Sequence, residues 1–391
     1  MTLLTVSLLL GMLQRTDGDL RLVLGIWTAG ETYRTRVLFR NQTDDFTISM
    51  LKSKIMHQLT NEGVKEMYEL GLWLRERYIT NSPFVSASIQ RDETVIESSA
   101  QLAALESAEA VVEGLFCGKY CNTSSNDIAR SWSPFAIRPA RMSSVDWLLD
   151  PVPMRCKHYN DTINVERKEL LNRLEKQEGY RKIVRYLGRF GDKRSKFSLP
   201  YITKAFRILE FVRLTPRAIL ESDIVNGTTV LQWILQNYRQ YMLSLVNSKT
   251  KARLTVGTLL NDLISTIDDV ASSTERVLKA RFFSTGDARV LTALKYALGV
   301  EVSDIAPPGS ALIVELHDDD GQTVEVYTRT SEGWITQRKL MNCGHRCPSR
   351  RFIYNVKPMA LTQEELNMAC SSTHIAPSTA IIIGFLLYNF K

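Results

Sequence analysis

The sequence predicts an α/β protein in which a central mixed sheet is flanked by helices and interrupted by an inserted α-helical cap. An apolar run of strand length spans residues 20–27 (LRLVLGIW), and such continuous apolarity is typical of a strand buried on both faces. Strand patterns return near residues 281–284 and 311–327, whereas residues 160–270 show only helical patterns. Strands at both ends and helices between them indicate one sheet domain that is split by a helical insert.

The first third of the chain continues with a predicted loop, two helices and a short strand. A helix is predicted from Thr60, because apolar residues recur at three- and four-residue spacing, at Val64, Met67, Leu70, Leu74 and Tyr78. Residues 85–89 are predicted to form a short strand. A second helix is predicted from about Thr94, with Leu102, Leu105 and Val112 among its buried residues.

Helical periodicity dominates the middle of the chain, in residues 166–188 and 229–245. Further on, the two strands within residues 311–327 flank an Asp-Gly pair, which favours a tight hairpin turn. The predicted layout is a signal-like segment (1–18), the first part of the α/β domain (19–120), a mainly helical cap (121–270), the second part of the domain (271–372) and an apolar tail (373–391).

The composition is that of a globular protein and excludes a disordered chain, a collagen-like repeat and a coiled coil. Of the 391 residues, 44% are hydrophobic and 23% are charged. Lys and Arg number 49 against 42 Asp and Glu, which gives a formal charge of +7 and a pI near 9.0. We interpret this surplus as an ordinary basic surface spread along the chain, and we do not expect a nucleic-acid partner.

Six cysteines allow a complete set of disulfides. Cys117 and Cys121 enclose one tight loop, Cys343 and Cys347 enclose another, and each loop is closable by a local bridge. Cys156 and Cys370 then remain as a candidate long-range bridge. A zinc site that includes the histidine between positions 343 and 347 is the alternative, but the cysteine spacing is not that of common zinc sites. We therefore expect no metal.

Three weak signals together favour a secreted or lumenal protein. Four N-x-S/T sequons stand at Asn41, Asn122, Asn160 and Asn226, and in a secretory context they mark glycosylated surface loops. Residues 3–13 have the length and apolarity of a signal-peptide core, and the even cysteine count suits an oxidising compartment. The apolar residues 380–388 are too few to span a membrane; they fit either a GPI-type signal or part of a longer anchor.

Several motifs occur together in a specific order. They are residues 58–63 (QLTNEG), 68–78 (YELGLWLRERY), 132–134 (WSP), 311–317 (ALIVELH) and 343–348 (CGHRCP). In order and spacing they resemble the histidine acid phosphatase family, the branch that contains the prostatic and lysosomal enzymes. The resemblance covers residues from about 20 to 372, and it also implies the bridge between Cys156 and Cys370.

The resemblance implies a phosphoglycerate mutase-like α/β fold with a helical cap and a phosphate pocket at the strand ends. Members of the family hydrolyse phosphate monoesters through a phosphohistidine, without a cofactor. The nucleophile and two phosphate-binding arginines lie in an R-H-G-x-R-x-P motif after the first strand, and a third arginine lies in a later R-S-T strand. A late His-Asp pair supplies another phosphate contact and the acid. Arginines suit this task because their donors match phosphate oxygens in pairs.

This chain departs from the family pattern at nearly every catalytic position. The positions of the nucleophile, the three arginines and the second histidine read, in that order, Ala29, Thr28, Thr32, Ala87 and Gly286. The histidine that would carry the phosphoryl group and the arginines that would hold it are therefore lost together.

Asp287 stands at the retained proton-donor position of the family. It also has a structural interpretation, because an aspartate between a strand and a helix is a good N-cap. We favour the capping role, since an acid without a nucleophile contributes little to catalysis.

We therefore expect a histidine acid phosphatase-like protein that has lost phosphomonoesterase activity and serves a binding role. An active or weakly active acid phosphatase is the alternative. The partner is expected to be a ligand or a protein that the sequence does not identify. Two further expectations are a membrane tether through the C-terminal tail and, by resemblance, a homodimer.

Overall fold

The computed structural model describes residues 19–33, 58–117, 135–139, 156–177, 180, 224–225, 227–273, 278–318, 321–340 and 342–371. Several predicted features lie outside these residues: the signal-like segment, the C-terminal tail, the sequons at Asn41, Asn122 and Asn226, and the bridge from Cys117 to Cys121.

The described strands form a mixed sheet of eight strands and a separate pair, as the sequence predicted for the fold class. The strands are β1 (Asp19–Thr28), β2 (Thr94–Ser98), β3 (Arg138–Pro139), β4 (Ile224–Val225), β5 (Thr228–Thr229), β6 (Ala280–Thr285), β7 (Ala311–Asp318), β8 (Thr323–Arg329), β9 (Ile335–Arg338) and β10 (Arg346–Pro348). The sheet order is β10-β8-β7-β1-β6-β2-β3, and β9 also pairs with β8. Strands β1, β6, β2 and β3 are parallel, and β7 to β10 are antiparallel to their neighbours.

Helices cover both faces of the sheet. Those of the described residues are α1 (Asn61–Arg75), α2 (Leu102–Val112), α3 (Lys157–Lys176), α4 (Val230–Ser244), α5 (Lys249–Ser272), α6 (Ala288–Ala297), α7 (Ser349–Val356) and α8 (Gln363–Ser371). Helices α1 and α2 are each extended by a π-type turn, Glu76–Thr80 and Glu113–Cys117. None of the described helices combines the length and the apolar character needed to cross a membrane.

Several helices begin directly after a polar residue whose side chain caps the first turn. The Thr60 hydroxyl accepts a hydrogen bond from Gly63 N and begins α1, as predicted. Thr229 and Gln232 form a reciprocal capping box at α4, and Ser248 caps α5. These bonds satisfy backbone N–H groups that have no partner within the first helical turn.

The predicted strand at residues 85–89 and the predicted helix start at Thr94 are both wrong. Residues 85–89 form an irregular segment, and Thr94–Ser98 is strand β2, with Thr94, Ile96 and Ser98 buried in alternation. The β-branched sequence Thr-Val-Ile favours an extended chain, and the alternation matches a sheet with one face more deeply buried. Helix α2 begins only at Leu102.

The core consists of two clusters, one on each face of the sheet. In β1, Leu22, Leu24 and Ile26 pack against α5 and α6, while Val23 and Trp27 pack with α1 and α2. These side chains are at most 2% exposed, so the predicted burial of this strand on both faces is confirmed. Helix α5, which the sequence analysis assigns to the cap, packs directly on the sheet.

Two disulfides join described residues. Cys156, just before α3, is bonded to Cys370 in α8, which ties the helical segment to the last helix of the sheet domain. Cys343 is bonded to Cys347 and closes the loop between β9 and β10. Both pairings agree with the sequence prediction, and these cysteines are therefore not available for a metal.

Candidate functional site

The candidate site lies where β1, β6 and β2 end side by side. Because these strands are parallel, their carboxyl ends meet at one edge of the sheet, the usual place for a ligand in such folds. Helices α1, α2 and α6 also begin at this edge. The structure thus brings together the segments that carry Ala29, Gly286 and Asp287.

The loop after β1 is held by backbone hydrogen bonds around Ala29. Ala29 N donates to Thr285 O at 2.8 Å, and Ala29 O accepts from Gly309 N at 3.0 Å. The Thr28 hydroxyl donates to Pro307 O at 2.8 Å and is buried, so it points into the protein and not toward a ligand. Position 29 therefore presents a single methyl group on a fixed backbone and has no group that could attack phosphorus.

Gly30, the one motif residue that is retained, is required by packing. Its amide donates to the Ser107 hydroxyl at 3.1 Å. A Cβ atom at this position would lie 2.5 Å from the carbonyl oxygen of Gly63 in the first turn of α1. The glycine allows the loop and the helix to touch, which explains its presence without any catalytic role.

Carboxylates stand at the rim of the site, on the α1 side. Thr32, at the second arginine position, forms an isolated β-bridge with Leu59. The neighbouring Glu31 accepts a hydrogen bond from the Thr60 hydroxyl at 3.1 Å, and Glu31 N donates to a carboxylate oxygen of Glu66 at 3.3 Å. The rim on this side therefore carries the carboxylates of Glu31 and Glu66.

The pKa of Glu66, at this rim, is raised above its ordinary value of 4.5. Burial raises its pKa, the hydrogen bond from Glu31 N lowers it, and the charges of Glu31 and Glu62 raise it again, with Arg329 opposing, so that the pKa is about 6. A carboxyl group with this pKa exchanges its proton near neutral pH. Sequence patterns do not reveal Glu66, because Glu31 in the loop after β1 and Arg329 on β8 are distant from it along the chain.

Asp287 is engaged by Arg289. Its carboxylate caps α6 by accepting from Arg289 N at 2.9 Å, and the Arg289 guanidinium donates to both carboxylate oxygens through Nε and Nη2. The capping role that the sequence predicts is thus confirmed. The aspartate is occupied as an acceptor on both oxygens, which leaves it poorly placed to protonate a leaving group.

The space beside Gly286 is filled by Gln101. A Cβ atom added to Gly286 would lie 1.9 Å from the side-chain oxygen Oε1 of Gln101. The glutamine therefore occupies the volume where the family's second histidine would begin. Gln101 is the residue just before α2, and the sequence shows no sign of its contact with a glycine 185 positions away.

The predicted placement of the third arginine position at Ala87 needs correction. Ala87 is exposed in the irregular segment before β2, away from the strand ends. The strand that pairs with β6 is β2, which ends at Ser98; Glu97 and Ser98 therefore lie at the strand-end edge where a strand with the R-S-T pattern would place its arginine. Glu97 accepts a hydrogen bond from Arg281 Nε at 2.7 Å, so an acid stands where the arginine is expected.

A second titratable cluster, Glu315, His317 and Glu325, lies in the sheet on β7 and β8 and has metal-ligand residue types. Its acceptors are already occupied. Arg77 donates to both oxygens of Glu315 at 2.6 and 2.9 Å, and Tyr78 and His317 also bind this carboxylate. Burial alone would raise the pKa of Glu315, but these hydrogen bonds and the Arg77 charge lower it to about 2. The cluster is better described as a satisfied ion pair than as a metal site.

A mixed sheet under helices, with the segments after β1, β2 and β6 meeting at the strand ends, is the arrangement of the histidine phosphatase class. The model of the histidine phosphatase superfamily (branch 2) matches residues 31–331, and the chain belongs to this family. The match begins one residue after Gly30. Thr28 and Ala29, which depart from the catalytic motif, precede it.

Relatives and solved structures agree with this assignment. The chain is 28% identical to testicular acid phosphatase of Mus musculus over 78% of this chain and 72% of that protein. It is 27% identical to lysosomal acid phosphatase of Homo sapiens over 84% of this chain and 75% of that protein. The structure of Hafnia alvei phytase in complex with tartrate has a TM-score of 0.65 at 14% identity and covers 91% of this chain and 99% of that one, which shows the shared fold.

Proposed function

We propose that this member of the histidine acid phosphatase family has lost phosphomonoesterase activity and acts by binding. The observation that carries the proposal is Ala29 on a backbone held by Thr285 and Gly309, at the position of the nucleophile. Loss of a covalent nucleophile in a hydrolase typically costs about six orders of magnitude in rate. No other imidazole replaces it among the described residues at this edge, where the loops of β1, β2 and β6 carry none.

The charges around the pocket support the same proposal. Threonine stands at two arginine positions, and Glu97 at the third introduces the opposite charge. Each charge-assisted hydrogen bond contributes about 1.5–3 kcal/mol, so loss of three arginines should remove nearly all affinity for a phosphate dianion. Glu31 and Glu66 at the rim add electrostatic repulsion at neutral pH, which lies above the pKa of about 6 of Glu66.

A phosphatase assay tests this proposal. The full chain is incubated with p-nitrophenyl phosphate at acidic pH beside an active lysosomal acid phosphatase as the positive control. We expect a turnover at least about five orders of magnitude below the control. An activity within about two orders of magnitude of the control that is abolished by Asp287→Asn would contradict the proposal, because contaminating enzyme would not respond to this substitution.

A slow hydrolase that uses no phosphohistidine is the second candidate, and it is favoured by one observation. The pKa of Glu66 is raised to about 6, which suits a general base or acid near neutral pH. This candidate predicts weak turnover that disappears in Glu66→Gln and no covalent intermediate when labelled phosphate is trapped by acid-free quenching. If the residual rate is unchanged in Glu66→Gln, the second candidate is wrong.

We further propose a lumenal or extracellular location. The disulfide between Cys156 and Cys370 supports it, because such bonds persist mainly in oxidising compartments. Two of the named relatives are lysosomal and testicular acid phosphatases. Expression in cultured animal cells, followed by N-terminal sequencing of the product in the medium, tests this location.

Asn160 is the sequon residue that lies among the described residues. It lies in the first turns of α3 and is half-buried, not in the surface loop that the sequon suggested. We therefore expect inefficient glycosylation there, measured as the fraction of peptide that a glycosidase shifts. The tether and the homodimer remain predictions.

A further inference from the structure

Positive charge is concentrated in one segment of the chain. Residues 333–363 contain six Lys and Arg and no Asp or Glu, so this segment carries +6 of the formal +7 of the whole protein. The surplus of positive charge is therefore concentrated in this segment, although the overall composition suggested a surplus spread along the chain. A local excess of this kind creates a positive potential that attracts polyanions.

The segment folds as one unit at the outer edge of the sheet. It comprises β9, the loop closed by Cys343–Cys347, β10 and α7, and both strands pair with β8. Leu340, Phe352 and Val356 are buried in the same hydrophobic cluster. We call the cationic side chains on this unit the basic edge: Arg338, Lys339, Arg350, Arg351 and Lys357. All are exposed except Arg338, which is half-buried.

The charges of the basic edge are not neutralised by acids. Lys339, Arg350, Arg351 and Lys357 form no ion pair with another residue of the described chain. Burial and then the charge of Arg338 lower the pKa of Lys295 on the neighbouring helix α6 to about 8. Burial is the larger cause of this shift, and the charge of Arg338 adds to it.

An exposed aromatic ring lies among these cations. Tyr354 is 79% exposed and follows Arg350 by four residues, with Lys357 three residues further, so the three lie on one side of α7 and its continuing turn. The apolar side of α7, with Phe352 and Val356, is buried against the core. This arrangement differs from that of a membrane-surface helix, which presents its apolar face to lipid.

We propose that the basic edge binds a sulfated polysaccharide, independently of the candidate site at the strand ends. The planar guanidinium groups of Arg350 and Arg351 match the paired oxygens of a sulfate ester. Lys339 and Lys357 extend the surface for a linear polyanion, and the Tyr354 ring offers a flat face to a sugar ring. On the proposed lumenal or extracellular location, the chain meets such polymers, and the apolar residues Phe352 and Val356 of α7 are buried and not available for insertion into lipid.

Heparin binding of the full chain, measured by titration calorimetry at several salt concentrations, tests the proposal. We expect a dissociation constant that weakens steeply with NaCl. The double variant Arg350→Glu with Arg351→Glu should lose most of this affinity and lower the slope of log Kd against log [NaCl] by about two, about one for each lost cation. Tyr354→Ala should weaken binding with little change in slope, since the ring carries no charge.

The matched control is Lys65→Glu with Lys168→Glu, two exposed lysines on α1 and α3. It has the same net charge as the arginine variant and should bind heparin as the unmodified protein does. An equal loss of heparin affinity in both double variants would overturn the proposal, and so would the absence of heparin binding by the unmodified protein. Tighter binding to vesicles that contain phosphatidylserine, or to RNA, than to heparin would also overturn it. Thermal unfolding of each variant verifies that it is folded.

Discussion

Arg289 donates hydrogen bonds to both carboxylate oxygens of Asp287, the residue that stands at the family's proton-donor position. The same aspartate accepts from the Arg289 backbone and caps α6. The side chains are 25% and 12% exposed, so the ion pair is largely shielded from water. In this structure the aspartate caps the first turn of α6 and binds the Arg289 guanidinium.

This relationship predicts a loss of stability on removal of the arginine charge. Arg289→Met should lower the free energy of unfolding by about 1–2 kcal/mol, because the carboxylate loses its charged partner in a partly buried place. Urea unfolding monitored by tryptophan fluorescence measures the change. Arg289→Lys is the control and should lose less, since it keeps the charge but not the paired geometry. No change in Arg289→Met would show that the pair contributes nothing to stability.

A second prediction concerns the volume between Gln101 and Gly286. Gly286→His should destabilise the protein by about 1–3 kcal/mol, because the new Cβ would lie 1.9 Å from the glutamine side chain. Adding Gln101→Ala should recover part of this loss, giving a coupling energy of about 0.5–3 kcal/mol in a double-mutant cycle. Gln101→Ala alone completes the cycle, and additive effects would contradict the proposed contact.

A third prediction concerns the buried carboxylate Glu315. The folded protein lowers its pKa to about 2, below the ordinary value of 4.5. It therefore contributes stability that is present above about pH 5 and is lost as the pH falls toward 2. Glu315→Gln should lower the free energy of unfolding by about 3 kcal/mol at neutral pH. The difference in this free energy between the variant and the unmodified protein should become smaller as the pH falls from about 5 toward 2.

Urea titrations at several pH values measure this narrowing. Glu62→Gln is the matched control, because it removes an exposed carboxylate of α1 whose side chain is 64% exposed. The control should stay within about 0.5 kcal/mol of the unmodified protein. A constant difference between the Glu315 variant and the unmodified protein from neutral to acidic pH would contradict the ion-pair interpretation.

Local patterns predicted much of the fold. The β1 run, the hairpin of β7 and β8 and the Thr60 cap depend on neighbouring residues, and they formed as expected. The prediction of a helix from Thr94 extends the apolar spacing of α2 too far toward the N-terminus, because residues Thr94–Ser98 form strand β2. That error also displaced the third arginine position to Ala87.

Less of the candidate site could be predicted from the sequence, because most of its contacts join segments that are distant along the chain. Ala29 at the expected position of the nucleophile follows from one motif, but the contacts of Gln101 with Gly286 and of Glu66 with Glu31 join segments that only the folded sheet brings together. Arg289 is different, because an arginine two residues after an N-cap aspartate is a local pattern that could have been recognised.

The last prediction concerns Glu66, whose pKa the folded protein raises from 4.5 to about 6 through burial and the charges of Glu31 and Glu62. The folded state therefore favours the protonated acid, and this contribution to stability is present below about pH 4.5 and lost as the pH rises through 6. Glu66→Gln keeps the group neutral. At pH 7 it should be about 1 kcal/mol more stable than the unmodified protein, after allowance for partial exposure.

Urea unfolding at about pH 4 and about pH 7 measures this effect, and the advantage of Glu66→Gln should vanish at the lower pH, where both side chains are neutral in the folded protein. Glu109→Gln serves as the control, because it removes an exposed carboxylate of α2. A Glu66→Gln variant that is less stable than the unmodified protein at pH 7 would mean that partners stabilise the carboxylate, which contradicts a pKa raised by burial and neighbouring acids.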